Sequence, residues 1–435
     1  MNRPATTASS DTMRLILLAG LAAFITYVSM YAFRRPFTVA TFEGVTSPVS
    51  GLDFKTTLLI AQVAGYALSK FIGIKVVSEM QPEKRKLTLI GLILLAWLAL
   101  GCLPLLPAQL KFMALFANGL PLGMVWGLVF SFLEGRKITE AAGAILCVTF
   151  VLGSGLVKTV GSWLLINTGV GEMWMPFVTG GLFLPPFLAG IYLLGTLPAP
   201  STEDIALRQA RIPLDGTARW QFFRDYSVGL SVLIISYMLL TALRDFSDNF
   251  AAEIWTALGY GDTPEIFLLT SIPVTLLILI MLGSLMKIRN NATALMVNHL
   301  IIGVGFITVL LGTWLFDRGY IEGVFWFVAI TVGLYMSYVP FNCILFERLI
   351  AATRSLGNAG FLIYLADSFG YLGTVSILLY KSAFQPELSW VSFTLHGSYV
   401  IGGLGLALTL VAMAYFHRQL DVERSGADSP VAQAI

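Results

Sequence analysis

Apolar runs long enough to cross a bilayer succeed one another from end to end of this chain. A helix rises about 1.5 Å per residue and a hydrocarbon core is about 30 Å thick, so roughly 20 residues suffice for one crossing. Twelve stretches reach that length: residues 14–42, 54–77, 87–106, 109–133, 139–167, 173–196, 226–256, 265–286, 293–316, 321–346, 356–381 and 391–416. Inside a bilayer every backbone N–H and C=O must pair within the protein, which leaves helices or a closed barrel. Barrel strands show short segments of alternating polarity, whereas these runs are continuous. The chain is therefore predicted to be an all-α membrane protein of twelve transmembrane helices. With 57% hydrophobic and 12% charged residues over 435 positions, a soluble fold would lack the polar surface to cover its core.

Positive charge is unevenly shared between alternate loops. Of the 27 Lys and Arg, eighteen fall on the side of the amino terminus and four (Lys55, Lys111, Arg318, Lys381) on the other. The other five, Arg34, Arg35, Lys70, Lys158 and Arg244, lie inside spans. The positive-inside rule then puts both termini in the cytoplasm. That asymmetry accounts for the net charge of +2, so no nucleic-acid partner is expected. No small-residue cleavage site precedes a soluble domain, and the first run is read as a span and not a removed signal. Met1–Asp11 reads as a short disordered tail. Cys102, Cys147 and Cys343 stand singly in separate runs, giving neither a disulfide framework nor a metal-ligand spacing, and no metal or cofactor is expected. The glycine pairs at Gly303 and Gly402 lie in apolar helices, without the lysine of a phosphate loop, so ATP-driven pumping has no support.

One long polar connection divides the runs six and six. The predicted organisation is a tail (1–13), an amino-terminal six-helix bundle (14–197), a central loop (198–225), a carboxy-terminal six-helix bundle (226–417) and a second tail (418–435). The two bundles echo one another. Tyr27, Ala32 and Arg34 recur as Tyr237, Ala242 and Arg244 at an offset of 210. Glu134, ahead of Arg136, is echoed 213 residues on by Glu347, ahead of Arg348; Ala142, Gly143 and Gly153 recur as Ala359, Gly360 and Gly370 at 217. Three echoes in order point to an internal duplication, and in many secondary transporters the binding site lies between such repeats.

Twelve spans with cytoplasmic termini and a 6+6 repeat resemble the major facilitator superfamily along nearly the whole chain. Particular segments resemble its organophosphate:phosphate antiporter branch, the carriers of glycerol phosphate and hexose phosphates. Tyr31-Ala32-Phe33-Arg34-Arg35-Pro36-Phe37 is similar to that branch's aromatic-rich stretch around a phosphate-binding arginine. Gly65-Tyr66-Ala67-Leu68-Ser69-Lys70-Phe71 is similar to its segment with a cavity-lining lysine. Ser78-Glu79 with Pro82 and Arg85 resembles a degraded superfamily loop motif, and Asn118-Gly119-Leu120-Pro121 with Gly123 and Trp126 its glycine-rich fourth helix. Leu243-Arg244-Asp245-Phe246 falls where the seventh helix carries a second arginine, and Phe369-Gly370-Tyr371-Leu372-Gly373 matches the eleventh. The fifth helix departs from the branch: Phe150-Val151-Leu152 stands where a histidine is common. The resemblance implies a pseudo-symmetric major facilitator fold in a bacterial inner membrane, working as a monomer.

The intramembrane charges are the candidate site. An arginine at mid-membrane costs about 2.5–3.5 kcal/mol on insertion scales, so such residues face a cavity and bind something more often than not. Guanidinium offers paired donors that match two oxygens of a phosphate, which lysine cannot do. Arg34 and Arg244 are thus read as the substrate-binding pair, with Lys70 as a third cation and Tyr31, Tyr66 and Trp126 as aromatic lining. For Arg34 the alternative is a helix-edge residue reaching to headgroups, although the helix is expected to continue through Phe42. Arg244 also has Asp248 four residues on, the spacing of an intrahelical ion pair, and Arg35 is read as interfacial. Lys70 has the cytoplasmic edge as its alternative. Lys158 is paired in this reading with Asp367, as a gate. Asp367, flanked by Tyr364 and Tyr371, reads either as a proton site or as a satisfied polar lock. Asp245 and Asp248 complete the candidates for gating or proton coupling. His299, His396 and His417 are read as interfacial.

The expected function is secondary transport of a small organic anion, phosphorylated, by alternating access and in exchange for phosphate. A non-transporting sugar-phosphate sensor and a proton-coupled carrier of another organic anion are the alternatives. No catalytic residues are assigned, because no nucleophile stands paired with a base, and an enzyme is not expected.

Overall fold

The computed structural model describes residues 5–78, 80–133, 136, 138–198, 216–353 and 359–427. Most of the central loop, Glu79 and Glu134 of the sequence motifs, and the end of the carboxy-terminal tail fall outside them. Every regular element among the described residues is helical. The helices are α1 (Ala5–Tyr31), α2 (Phe54–Ser78), α3 (Arg85–Leu105), α4 (Lys111–Leu122), α5 (Val125–Phe130), α6 (Thr139–Asn167), α7 (Met175–Gly195) and α8 (Gly216–Asp225). They continue with α9 (Ser227–Asn249), α10 (Ala251–Ala257), α11 (Ile266–Leu285), α12 (Asn291–Asp317), α13 (Gly323–Cys343), α14 (Leu345–Ala352), α15 (Ala359–Phe384) and α16 (Trp390–Ala427). Among the described residues eleven helical segments are long and apolar enough to cross a membrane. The remaining expected span is α2, whose 25 residues are long enough for a crossing but carry Lys55, Lys70 and Lys75. Leucines such as Leu95 and Leu98 lie 60% exposed on helix surfaces, as suits contact with lipid. The chain is an all-α, multi-pass membrane protein.

Two expectations about the first span are corrected. The helix begins at Ala5, so most of the stretch expected to be disordered is helical. It also stops at Tyr31 instead of running on to Phe42. Pro36 explains the early stop: it has no N–H to give to the carbonyl four residues back, and its ring crowds that turn. The chain tightens into i→i−3 bonds, Ala32 to Ser29, Phe33 to Met30 and Arg34 to Tyr31, and then forms a 3₁₀ turn over Pro36–Val39 with proline at its start. Beyond it Phe42 sits at φ 56°, a left-handed conformation unusual for a side chain of its size. Glu172 holds it there, accepting from the backbone N–H of Thr41 (2.9 Å) and of Phe42 (3.0 Å).

Contacts divide the chain into two compact units. The first gathers Met1–Arg208, Ser247–Leu279 and Leu378–Trp390. In it α1 packs on α6 and α7, and α4 packs on α2 and α3. The α2–α4 crossing is backbone on backbone. A Cβ on Gly65 would meet the Phe116 carbonyl, and one on Gly119 would meet the Gln62 carbonyl. Small residues permit this approach, as in other membrane helix pairs. The second unit gathers Gln209–Phe246, Ile280–Ile377 and Val391–Ile435. There α12 lies along α13 and α14. The boundary falls inside α9, so Arg244 and Asp245 belong to the second unit and Asp248 and Asn249 to the first.

Candidate functional site

Arg34 owes its place to the broken end of α1. The break leaves the carbonyls of Phe33 and Arg34 without helical donors, and buried carbonyls need partners. Asn118, fully buried on α4, donates to Phe33 O and to Ala96 O, both at 2.9 Å. Its own oxygen accepts from Gln62 Nε2 at 2.7 Å, and the same amide reaches Arg34 O at 3.1 Å. Two amides from α2 and α4 thus grip the segment that carries Arg34. The Arg34 guanidinium, 9% exposed, lies 4.0 Å from the centre of the Tyr66 ring, and Lys70 Nζ lies 5.6 Å from that centre. Cation–π attraction suits both contacts. Arg34, Tyr66 and Lys70 are therefore brought together. Tyr31 is buried edge-on to Tyr27, against Gly153. Trp126 stacks on Phe130 at 5.0 Å, and its Nε1, buried, has no hydrogen-bond partner among the described residues.

A second cluster in the same unit centres on Asp248. Lys158, 2% exposed, is 2.6 Å from Asp248 Oδ1 and also donates to the Asp248 carbonyl. Arg35 Nη1 is 3.0 Å from Asp248 Oδ2 and 2.6 Å from Asn249 Oδ1. Ser154 Oγ donates to the same carboxylate at 3.1 Å. Three expectations change here. Lys158 pairs with Asp248 and not with Asp367. Asp248 serves Lys158 and Arg35 and not Arg244. Arg35 is buried and not interfacial, because the 3₁₀ turn carries it inward to meet the end of α9.

The crossing helix α9 ends at Asn249, and beyond it, on α10, Glu253 meets Lys55 at 2.5 Å. Lys55 Nζ also donates to Thr38 O at 2.6 Å. Glu253→Gln is expected to lower the melting temperature in detergent, since the buried Lys55 loses its counter-charge. A glutamine protein that melts with wild type would contradict this.

In the second unit Arg244 lies over the Tyr338 ring at 3.8 Å and near Tyr335 at 5.6 Å. Its Nη2 donates to Asp245 Oδ1 at 2.8 Å, while Asp245 Oδ2 accepts from Thr374 at 2.9 Å. The buried Arg244 Nε finds no acceptor among the described residues. Asp367 accepts from the Tyr237 hydroxyl at 2.6 Å, and Asn342 Nδ2 donates to that hydroxyl at 3.3 Å. Tyr237 stacks on Tyr338, which links the two groups. His299, read as interfacial, is 1% exposed and lies against Phe416.

Sequence reasoning missed Gln62, Asn118, Ser154, Asn249, Tyr237, Tyr335, Tyr338, Asn342 and the Lys55–Glu253 pair. Gln62 and Asn118 carried a usable signal, each being a lone amide in an apolar run. The tyrosines carried none, because an aromatic residue in a membrane helix has many neutral uses.

The fold is that of the major facilitator transporters. It is shared with nucleoside transporter NupG, with a TM-score of 0.60 at 15% identity over 92% of this chain and 99% of that one. The xylose transporter XylE from E. coli gives 0.58 at 13%, over 92% and 95%. A POT family transporter in complex with 5-aminolevulinic acid gives 0.57 at 14%, over 94% and 96%. At such identities the likeness shows the fold alone. Residues 36–419 match the family of unknown function DUF5690, and the chain belongs to that family. No curated protein matches it.

Proposed function

We propose that this protein is a secondary active transporter of a small organic anion, a phosphorylated compound, working by alternating access in the inner membrane with both termini in the cytoplasm. The observation that carries the reading is the state of Arg244. Its guanidinium is buried against two tyrosines and shares one carboxylate with Thr374, and its Nε retains an unused donor. A buried charge-bearing donor without an acceptor is costly unless a ligand supplies one. Arg34 and Lys70 on Tyr66 give the amino-terminal bundle a matching cationic patch. A phosphate dianion would satisfy either patch, and alternating access of the bundles 14–197 and 226–417 would carry it across. The unused Arg244 Nε donor resists enclosure in low dielectric, so a loaded carrier would cross more readily than an empty one. Exchange against inorganic phosphate follows, as in the organophosphate:phosphate antiporters that the sequence resembles.

The test is thermal shift in detergent with inorganic phosphate, glycerol phosphate, hexose phosphates and their phosphate-free analogues, followed by counterflow in proteoliposomes. Stabilisation by the phosphorylated set alone, with counterflow, supports the reading. Binding without counterflow favours a sensor, and stabilisation by none of the phosphates sinks the phosphate assignment. The Tyr237–Asp367 bond motivates a second reading, proton coupling, in which a buried carboxylate is held by a neutral phenol. Uptake driven by a pH gradient without internal phosphate would favour it.

A further inference from the structure

The surroundings of Asp248 are those of a bound anion. One carboxylate oxygen takes Lys158 at 2.6 Å and Ser154 at 3.1 Å; the other takes Arg35 at 3.0 Å and Ser154 at 3.3 Å. Arg35 comes from the turn after α1, and Lys158 and Ser154 from one face of α6, four residues apart. All three are less than a tenth exposed. Two cations therefore converge on one carboxylate. Arg35 and a lysine set to engage two oxygens of one group form a recognition pattern for carboxylates and phosphates alike. Asp248 itself sits one residue before the end of α9, where the backbone breaks at Phe250 (φ −107°, ψ 21°).

We infer that Arg35, Lys158 and Ser154 form a second oxyanion site, distinct from the Arg34 and Arg244 patches, which Asp248 fills as an internal stand-in. A small carboxylate or phosphate competes with Asp248 for it. Where the cargo is an anion, a point that rests on the proposed function, cargo arriving from that side displaces Asp248 and loosens the link between α9 and α6. Capture and opening are then one event, because the charge that holds α9 is handed to the cargo.

Removing the stand-in should empty the cradle for an added anion. Asp248→Ala is expected to melt lower than wild type in sodium chloride, by on the order of 5 °C, since two buried cations lose their carboxylate. Sodium formate, acetate or phosphate at equal ionic strength should restore most of that loss in a saturable way, as a ligand of the native state does. Wild type should show no such gain with formate, its cradle being full. Adding Lys158→Met to the variant should abolish the recovery. Recovery no greater than in chloride, or recovery that survives Lys158→Met, overturns the site. If the alanine protein does not fold, Asp248→Ser removes the carboxylate while leaving room for an added anion, and the same titration decides. The measurement needs no transport. Formate recovery without counterflow of phosphate esters would sustain the cradle and sink the cargo assignment, and counterflow without recovery would do the reverse.

Discussion

Gly119→Leu is expected to abolish most of the folded protein, with Gly119→Ala intermediate. A side chain at this position points into the α2 backbone, where Cβ would meet the Gln62 carbonyl and the Tyr66 amide. A flexible neighbour can swing aside from an added methyl, but a helical backbone cannot. The two helices must separate, and overpacking of this kind costs about 1–3 kcal/mol or more. Separation would also pull Asn118, the adjacent residue, away from Phe33 and Ala96. Those carbonyls are buried, and losing their donor adds about 1–3 kcal/mol each. Monodisperse yield and melting temperature in detergent read the effect. An alanine variant that melts with wild type would show that the crossing yields and that the contact is unimportant.

Arg244→Lys should cut affinity for phosphorylated ligands by about 10- to 100-fold, which corresponds to about 1.4–2.8 kcal/mol. Lysine retains the charge, so a loss of this size isolates the planar fork and its stacking on Tyr338. The variant keeps a donor for Asp245, so folding should survive. Binding of inorganic phosphate measured by thermal shift, with counterflow beside it, checks both points. Arg34→Lys is expected to behave in the same direction, through its loss of the Tyr66 face. Full binding in both lysine proteins would remove the grounds for a phosphate cargo.

The helical architecture was legible because a bilayer allows so few solutions. Span limits read from hydropathy agree with the helix ends to within a few residues for α6, α7, α11 and α12. Arg34 and Lys70, both singled out as charges within spans, lie on one ring, that of Tyr66. The end of α1 was misjudged because apolar character continues through Phe42, whereas Pro36 decides the backbone. Pairings were harder. Asp248 lies four residues after Arg244, yet the last turn of α9 meets Arg35 and Lys158, two cations that only the tertiary structure supplies. Asp367 accepts from a phenol that another helix contributes, for the same reason. Intrahelical spacing predicts a contact only where no neighbouring helix offers a better one.

The grip of Gln62 and Asn118 on the frayed end of α1 has a bearing on how specificity can drift. The segment carrying Arg34 is held by amides on other helices, so in the transport role proposed above its reach can be retuned by residues that never meet the cargo. Laboratory selection for a new transported compound should therefore enrich changes at positions 62 and 118, and screens confined to pocket-lining side chains would overlook them.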